Sequence, residues 1–253
     1  YGPTPLRTGI EQSRNLMTIR IGQEIGMDLV AEYAEKFGVY QNMNPFLANA
    51  LGAQESTLFK MVAAYAMFAN GGERVEPTLV DRVQDRFGKT IYRHDQRVCE
   101  DCGKPDLPKG QGVSIKSDRE RVMDAITAYQ LTSMMEGVIQ RGSGTGVKLP
   151  VPVAGKTGTT NDGADVWFIG FTPDLVAGVW MGMDRPQKIM DNAQGGRLAA
   201  PAWTMMMKEI YERRPIPSGW PRPDGLTVAE VDRQTGKKFT PFCPKDSLSV
   251  ESF

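Results

Sequence analysis

The residues best suited to chemistry are Lys156-Thr157-Gly158-Thr159-Thr160, which close a run of strand-forming residues ahead of an Asn161-Asp162-Gly163 turn. A strand ending this way offers an ammonium, hydroxyls and a backbone edge to one anionic or carbonyl-bearing ligand. Glycine keeps that edge clear of a Cβ. Alone the triplet is a moderate signal, because a solvated lysine before turn residues has the same composition. A second group, Ser13-Arg14-Asn15, stands just before the first long helical pattern. Its hydroxyl can relay a proton and its amide can both donate and accept, although an ordinary helix cap uses the same residue types. His94 is the single histidine. It cannot furnish a multi-histidine zinc site and is the one candidate for a Ser-His-Asp base, so the chemistry is expected to run without histidine. Cys99 and Cys102 form a Cys-any-any-Cys pair, with Cys243 far downstream. With His94 they would make a zinc knuckle only if all four groups converged.

The elements that must position these residues follow from periodicity. Met17, Ile21 and Ile25 recur at helical spacing, with Gly26 as a stop and Asp28 as the expected cap of a second helix whose face is Val30, Tyr33, Ala34 and Phe37. A third helix carries Leu58, Met61, Val62, Tyr65, Phe68 and Ala69 and ends at Asn70-Gly71-Gly72. A fourth carries Leu131, Met134, Met135 and Val138 before Gly142 and Gly144. These methionine-rich faces read as core. Then LPVPVAGKTGTT, DVWFIGFT and LVAGVWMGM read as three short antiparallel strands, and a closing helix begins near Ala200 or Pro201. Helices followed by a meander give an α+β class. Residues 93–120, rich in Asp, Lys, Gly and Pro, read as a surface insertion. Residues 213–253, with six prolines, read as an extended tail or a small appended strand pair.

Composition excludes several classes. Thirty basic residues balance thirty acidic ones, so nothing steers a polyanion and no nucleic-acid partner is expected. The longest apolar stretch, Val166 to Met183, has Pro173 and Asp174 at its middle, which fits two strands and a turn and not a membrane span. The chain opens YGPTPLRTG, without an initiator Met or an apolar leader, and reads as an internal piece of a longer protein.

The order Ser13-Arg14-Asn15 then Lys156-Thr157-Gly158 resembles the second and third motifs of penicillin-recognising serine acyl enzymes. Beyond the motifs, YAMFANGG, GVIQRGSGTG, AGKTGTTNDGADVWFIGFTPDLVAGVWMG and GGRLAAPAW closely resemble the transpeptidase domain of bifunctional, class A penicillin-binding proteins. The likeness covers residues 1–212. It implies an antiparallel sheet with helices on both faces and an all-helical subdomain, incomplete at the N-terminus. It also implies acyl transfer on peptidoglycan stem peptides ending in D-Ala-D-Ala, through a covalent serine intermediate that β-lactams trap.

By the same resemblance Ser13 relays a proton, Asn15 holds the donor peptide and orients the catalytic lysine, and Lys156 adds positive potential. The Thr157 and Thr159 hydroxyls hold the substrate carboxylate, the Thr159 N–H serves the oxyanion, and Gly158 and Thr160 complete the binding strand. No cofactor is implied. The family's first motif, Ser-any-any-Lys, is missing from the chain. Thr57-Leu58-Phe59-Lys60 comes nearest, but it has Thr for Ser, follows Ser-Arg-Asn and lies on a core helix. The nucleophile is therefore expected on an upstream segment of the same parent, which would also supply strands and a central helix. This chain alone would then be inactive, with an exposed strand edge, and stable only beside that segment. A membrane anchor and a glycosyltransferase domain would precede it, placing the domain in the periplasm or on the outer face of the cytoplasmic membrane. That oxidising location favours a disulfide among the three cysteines over zinc. Two rivals stand beside this reading: a D,D-carboxypeptidase or β-lactamase-type hydrolase, and a non-catalytic scaffold of wall synthesis.

Overall fold

A computed structural model describes residues 2–103, 115–116 and 119–252. In chain order the elements are α1 (Leu6–Glu11), α2 (Asn15–Ile25), α3 (Met27–Lys36), α4 (Leu58–Ala69), β1 (Arg82–Gln84), β2 (Thr90–Arg93), β3 (Val98–Cys99) and β4 (Ile115–Lys116). They continue with α5 (Ala125–Arg141), β5 (Ala154–Thr159), β6 (Val166–Phe171), β7 (Val176–Met181), α6 (Ala199–Tyr211), β8 (Val228–Asp232) and β9 (Leu248–Ser252).

The three strands read from the sequence form one antiparallel sheet in the order β5-β6-β7, in a register that sets Lys156 opposite Ile169 and Gly158 opposite Trp167. Side chains alternate between its faces. One face packs on α6, where the Trp203 ring meets Phe168 edge-on at 5.2 Å and its indole N–H donates to Ala177 O at 3.0 Å. Gly170 is required there, because a Cβ would lie 2.7 Å from the Trp203 ring. The other face carries Ile169 and Phe171 toward α4 and α5. Tyr65 of α4 packs edge-on to Phe171 at 6.4 Å, and the buried Met135 of α5 lies in the same cluster. Helices on both faces of an antiparallel sheet make the architecture α+β. β5 is an edge strand, and among the described residues neither it nor β7 has a strand on its outer side.

Local signals account for several helix ends. Asp124 caps α5 by accepting from the N–H groups of Ile126 (2.9 Å) and Thr127 (3.2 Å). Gly26, at φ 88°, both ends α2 and precedes α3. Asp28, expected as the cap of α3, instead lies inside its first turn and makes no capping bond; there its charge complements the helix dipole. Thr57 caps α4 by accepting from Lys60 N, which explains the Thr-any-any-Lys spacing as helix geometry. Among the described residues no helix is long and apolar enough to cross a membrane.

Two regions outside the main sheet take definite form. Ahead of the surface insertion read at residues 93–120 stands the β1–β2 hairpin, exposed on both strands; residues 104–114 and 117–118 of that stretch lie outside the described residues. The proline-rich stretch after 212 is anchored to the body. β8 and β9 pair antiparallel, Trp220 meets Phe171 edge-on at 5.8 Å, and Val231, Asp232 and Ser247 are buried. The Asp232 carboxylate accepts from Ser247 Oγ, Thr235 Oγ1 and Thr235 N, which hold its pKa below the usual carboxylate range.

The sheet's dependence on α6 makes Trp203→Ala cost about 3–5 kcal/mol. Phe242→Ala, at a side chain 97% exposed, changes stability by less than about 0.5 kcal/mol. Urea unfolding of the two variants measures the contrast.

Candidate active site

Ser13 follows α1, a six-residue helix that the periodicity does not announce because Gly9 interrupts its middle. The chain leaves α1 in a Schellman turn. Ser13 N donates to Ile10 O at 3.2 Å and Arg14 N donates to Gly9 O at 2.9 Å, with Ser13 itself in the left-handed region at φ 52°. Glycine is the usual occupant of that place, and a serine there costs roughly 1–2 kcal/mol. The return is a hydroxyl held at a fixed point in front of the sheet. Lys156, on β5, donates from Nζ to Ser13 Oγ at 2.7 Å and to Thr157 O at 3.1 Å. Burial of its ammonium pulls the pKa down from the ordinary 10.5 to about 8. Near neutral pH this group is a cation that can give up and recover a proton at little cost.

Asn15 opens α2 on the exposed side, and no hydrogen bond joins it to Lys156 among the described residues. Thr157 Oγ1 shares a hydrogen bond of 2.7 Å with Ser143 Oγ. Thr159 Oγ1 accepts from Gly195 N at 3.0 Å, which leaves its own O–H proton free to donate elsewhere. Thr160 is different. Its hydroxyl accepts from the N–H groups of Ala164 (3.0 Å) and Asp165 (2.9 Å), so it closes the β5–β6 turn. The four positions 156–159 thus share one strand, and the structure joins Lys156 to Ser13 while leaving Asn15 apart.

Three positions with a part in this geometry carried no assigned role in the sequence reading. Ser143 is reached through Glu11, whose backbone O accepts from Ser143 N at 3.1 Å and whose buried carboxylate takes two bonds from Arg141, at 2.6 and 3.1 Å. α1 can approach α5 this closely because Gly137 and Gly142 lack side chains; a Cβ at Gly142 would stand 2.2 Å from Glu11 O. Gly195 and Gly196 are the others. A Cβ at Gly195 would meet Trp167 O at 2.2 Å, and one at Gly196 would meet Ser143 O at 2.5 Å. The signal for all three was the density of small residues in Arg141-Gly142-Ser143-Gly144 and Gly195-Gly196. Burial pushes the nearby Glu136 carboxyl up against the opposing pull of Arg7 and Arg141.

The cysteine question has a definite geometry. Cys99 and Cys102 are bonded to each other, Cys243 is a free thiol, and the His94 ring lies 2.9 Å from Glu76 O. The four groups therefore do not gather into a knuckle, and among the described residues no cluster of three or more His, Cys, Asp or Glu side chains could hold a metal ion.

A family described as the penicillin binding protein transpeptidase domain matches residues 1–212. The chain belongs to that family. Penicillin-binding protein 1A of Rickettsia typhi is 39% identical over 256 residues, covering 100% of this chain and 32% of that protein. The chain spans about a third of the length of the curated relatives it matches. The crystal structure of penicillin-binding protein 1A from Haemophilus influenzae superposes with a TM-score of 0.79 at 28% identity, over 100% of this chain and 40% of that one. The PonA1 protein of Mycobacterium tuberculosis in complex with penicillin V, 21% identical, has a TM-score of 0.68 over 94% of this chain and 62% of its own; that likeness is one of fold.

Two outcomes follow for this transpeptidase-family site. Ser13→Gly and Ser13→Ala both lose the hydroxyl that accepts from Lys156, but only glycine relieves the left-handed strain, so Ser13→Gly keeps the higher thermal midpoint of the two. Calorimetry on the pair gives the order. Between pH about 8 and 10.5 the unfolded chain holds a proton on Lys156 that the folded chain has released, so this group adds stability as pH rises through that window. Subtracting the urea-unfolding pH profile of Lys156→Met from that of the unsubstituted chain leaves this rise.

Proposed function

We propose that this chain supplies the second and third motifs of a peptidoglycan D,D-transpeptidase whose nucleophilic serine and its lysine base lie on an upstream segment of the same parent protein. The observation that carries the reading is the 2.7 Å hydrogen bond from Lys156 Nζ to Ser13 Oγ, made by an amine with its pKa near 8 on a strand whose outer edge has no strand partner among the described residues. An amine so poised can pass protons through a hydroxyl at neutral pH.

The reaction divides into two transfers. The upstream serine oxygen bonds to the penultimate carbonyl carbon of a stem peptide ending in D-Ala-D-Ala, and the bond to the terminal D-alanine nitrogen breaks. The serine proton reaches the departing amine through Ser13. An amine of a second stem peptide then bonds to the acyl carbon, the serine oxygen leaves with a proton, and the product is a peptide cross-link. A donor peptide lying along β5 would find its backbone partners on the unpaired outer edge, the binding mode of an added strand. Lys156 and Thr159 would hold the terminal carboxylate, Thr157 would hold it from the position fixed by Ser143, and the Thr159 N–H would face the oxyanion. Asn15 would engage the peptide when it arrives, in keeping with its exposed place at the start of α2. Gly158 keeps the strand open to that approach. Thr160 would act through the turn it closes. A β-lactam would acylate the same serine and leave slowly, and a fold neighbour in complex with penicillin V is in accord with that. Such a protein would work in the periplasm or on the outer face of the cytoplasmic membrane, anchored through its upstream part.

The test is a denaturing gel of the full-length gene product after incubation with a fluorescent penicillin. Label is expected on the polypeptide that contains the upstream serine, with residues 1–253 alone unlabelled and Lys156→Ala slowing acylation by about 10²-fold or more. Label on the isolated chain, or an unaffected Lys156→Ala protein, would refute the assignment. Product analysis with and without an acceptor amine separates transfer from hydrolysis.

A further inference from the structure

α1 is too short to persist by itself, and Gly9 at its centre weakens it further. Yet the left-handed turn that presents Ser13 is its C-terminal cap, so Ser13 is only as fixed as this helix is. Two charged side chains one turn apart hold α1 from outside. Glu11 binds Arg141 on α5. Arg7 is buried and bonds in three directions: Nη1 to Ser133 O at 2.8 Å, Nη2 to Ser133 Oγ at 3.1 Å, and Nη2 to the carboxylate of Glu251.

Glu251 lies on β9, almost forty residues beyond the stretch that matches the transpeptidase family. Its strand pair is itself tied down. Gln130 Nε2 of α5 donates to Ser252 O at 3.1 Å, the Asp232 carboxylate knots Ser247 to Thr235, and the turn at Gly236 packs against Pro5, the residue that begins α1. Contacts with Pro5 and Arg7, at the start of α1, therefore come from the C-terminal strand pair and the loop that joins its strands.

We infer that the β8–β9 strand pair is a working part of the site, a brace whose Arg7–Glu251 ion pair fixes α1 and through it the position of the Ser13 hydroxyl. Arg7 and Glu251 are positioning residues. Neither touches the site, and each acts through the α1 cap. The arrangement explains why a segment outside the family match is packed so closely onto the residues just before Ser13. It deepens the proposed function and rests on it for its catalytic consequence alone; the effect on the Ser13 turn is independent of any reaction.

The experiment uses the full-length gene product as wild type, Glu251→Gln, Glu251→Asp and the exposed-residue control Phe242→Ala, with two readouts. Hydrogen exchange at the Ser13 and Arg14 amides, whose N–H groups close the Schellman turn, is expected to quicken about tenfold in Glu251→Gln while the β6 amides keep their rates. The rate of acylation by a fluorescent penicillin is expected to fall about five- to twentyfold in Glu251→Gln and to recover to within about threefold of wild type in Glu251→Asp. Phe242→Ala matches wild type in both. If Glu251→Gln does not accumulate, Gln130→Ala carries the same comparison, since it cuts the tie from α5 to Ser252 on β9 and leaves every contact made by α1 itself in place. Unchanged exchange at Ser13 and Arg14 overturns the brace, as does a uniform rise that includes β6, which would mark a merely structural role. A wild-type protein that takes no label refutes the transpeptidase reading, and the exchange readout then still decides the brace.

Discussion

The candidate site depends first on a buried carboxylate. Glu11 is almost wholly withdrawn from water, and its charge is balanced by the two-armed contact from Arg141. Arg7 stands at 3.9 Å from the same carboxylate, so removing Arg141 leaves Glu11 buried with one more distant cation and costs less than the roughly 3–5 kcal/mol of a fully uncompensated charge. Around this carboxylate runs a closed circuit. Glu11 precedes Ser13 by two residues, Ser13 meets Lys156, Lys156 adjoins Thr157, Thr157 bonds Ser143, and Ser143 N returns to Glu11 O. A shift at any one of these groups is felt by both motifs.

Lys156 shows what the circuit achieves electrostatically. Its amine is held between a hydroxyl and a carbonyl, both neutral oxygens, and not beside a carboxylate. An ion pair would have kept the proton bound, whereas burial beside neutral acceptors weakens the ammonium and brings its pKa to about 8. The site thus carries two destabilising features at once, a desolvated amine and a left-handed serine. Both are tolerated because the surrounding packing over-determines them, which is the usual way that strain persists where chemistry is done.

Much of this was legible in the residues. The three strands follow from alternation and turn chemistry, and the Lys-Thr-Gly strand ends where the Asn161-Asp162-Gly163 turn says it must. The pairing of Ser13 with Lys156, 143 positions apart, came from resemblance, since nothing in local pattern brings distant segments together. α1 was illegible because six residues with a central glycine carry almost no helical period. Asp28 misled because a carboxylate suits both a cap and a first turn, and the positive φ of Gly26 decides between them. Of the two readings of the tail, an extended segment or a small strand pair, the structure has the second. The tail's prolines signal irregular chain, but the Asp232 knot and the Trp220 contact that anchor it are tertiary.

The glycines near the site share one physical purpose. Gly142, Gly195 and Gly196 each stand where a Cβ would fall within 2.2 to 2.5 Å of a backbone oxygen, and none of the three needs a positive φ. They are there for closeness and not for conformational freedom. Backbone approaching backbone leaves no side chain to change rotamer, so the loops beside β5 are set by main-chain contact, the least adaptable kind of packing. Among the described residues the outer edge of β5 has no strand partner, while the loops beside it are held by these main-chain contacts. An open edge on a compliant support would invite non-specific strand pairing. On a rigid support bounded by Ser13 and Lys156 the edge instead keeps one fixed geometry relative to both side chains.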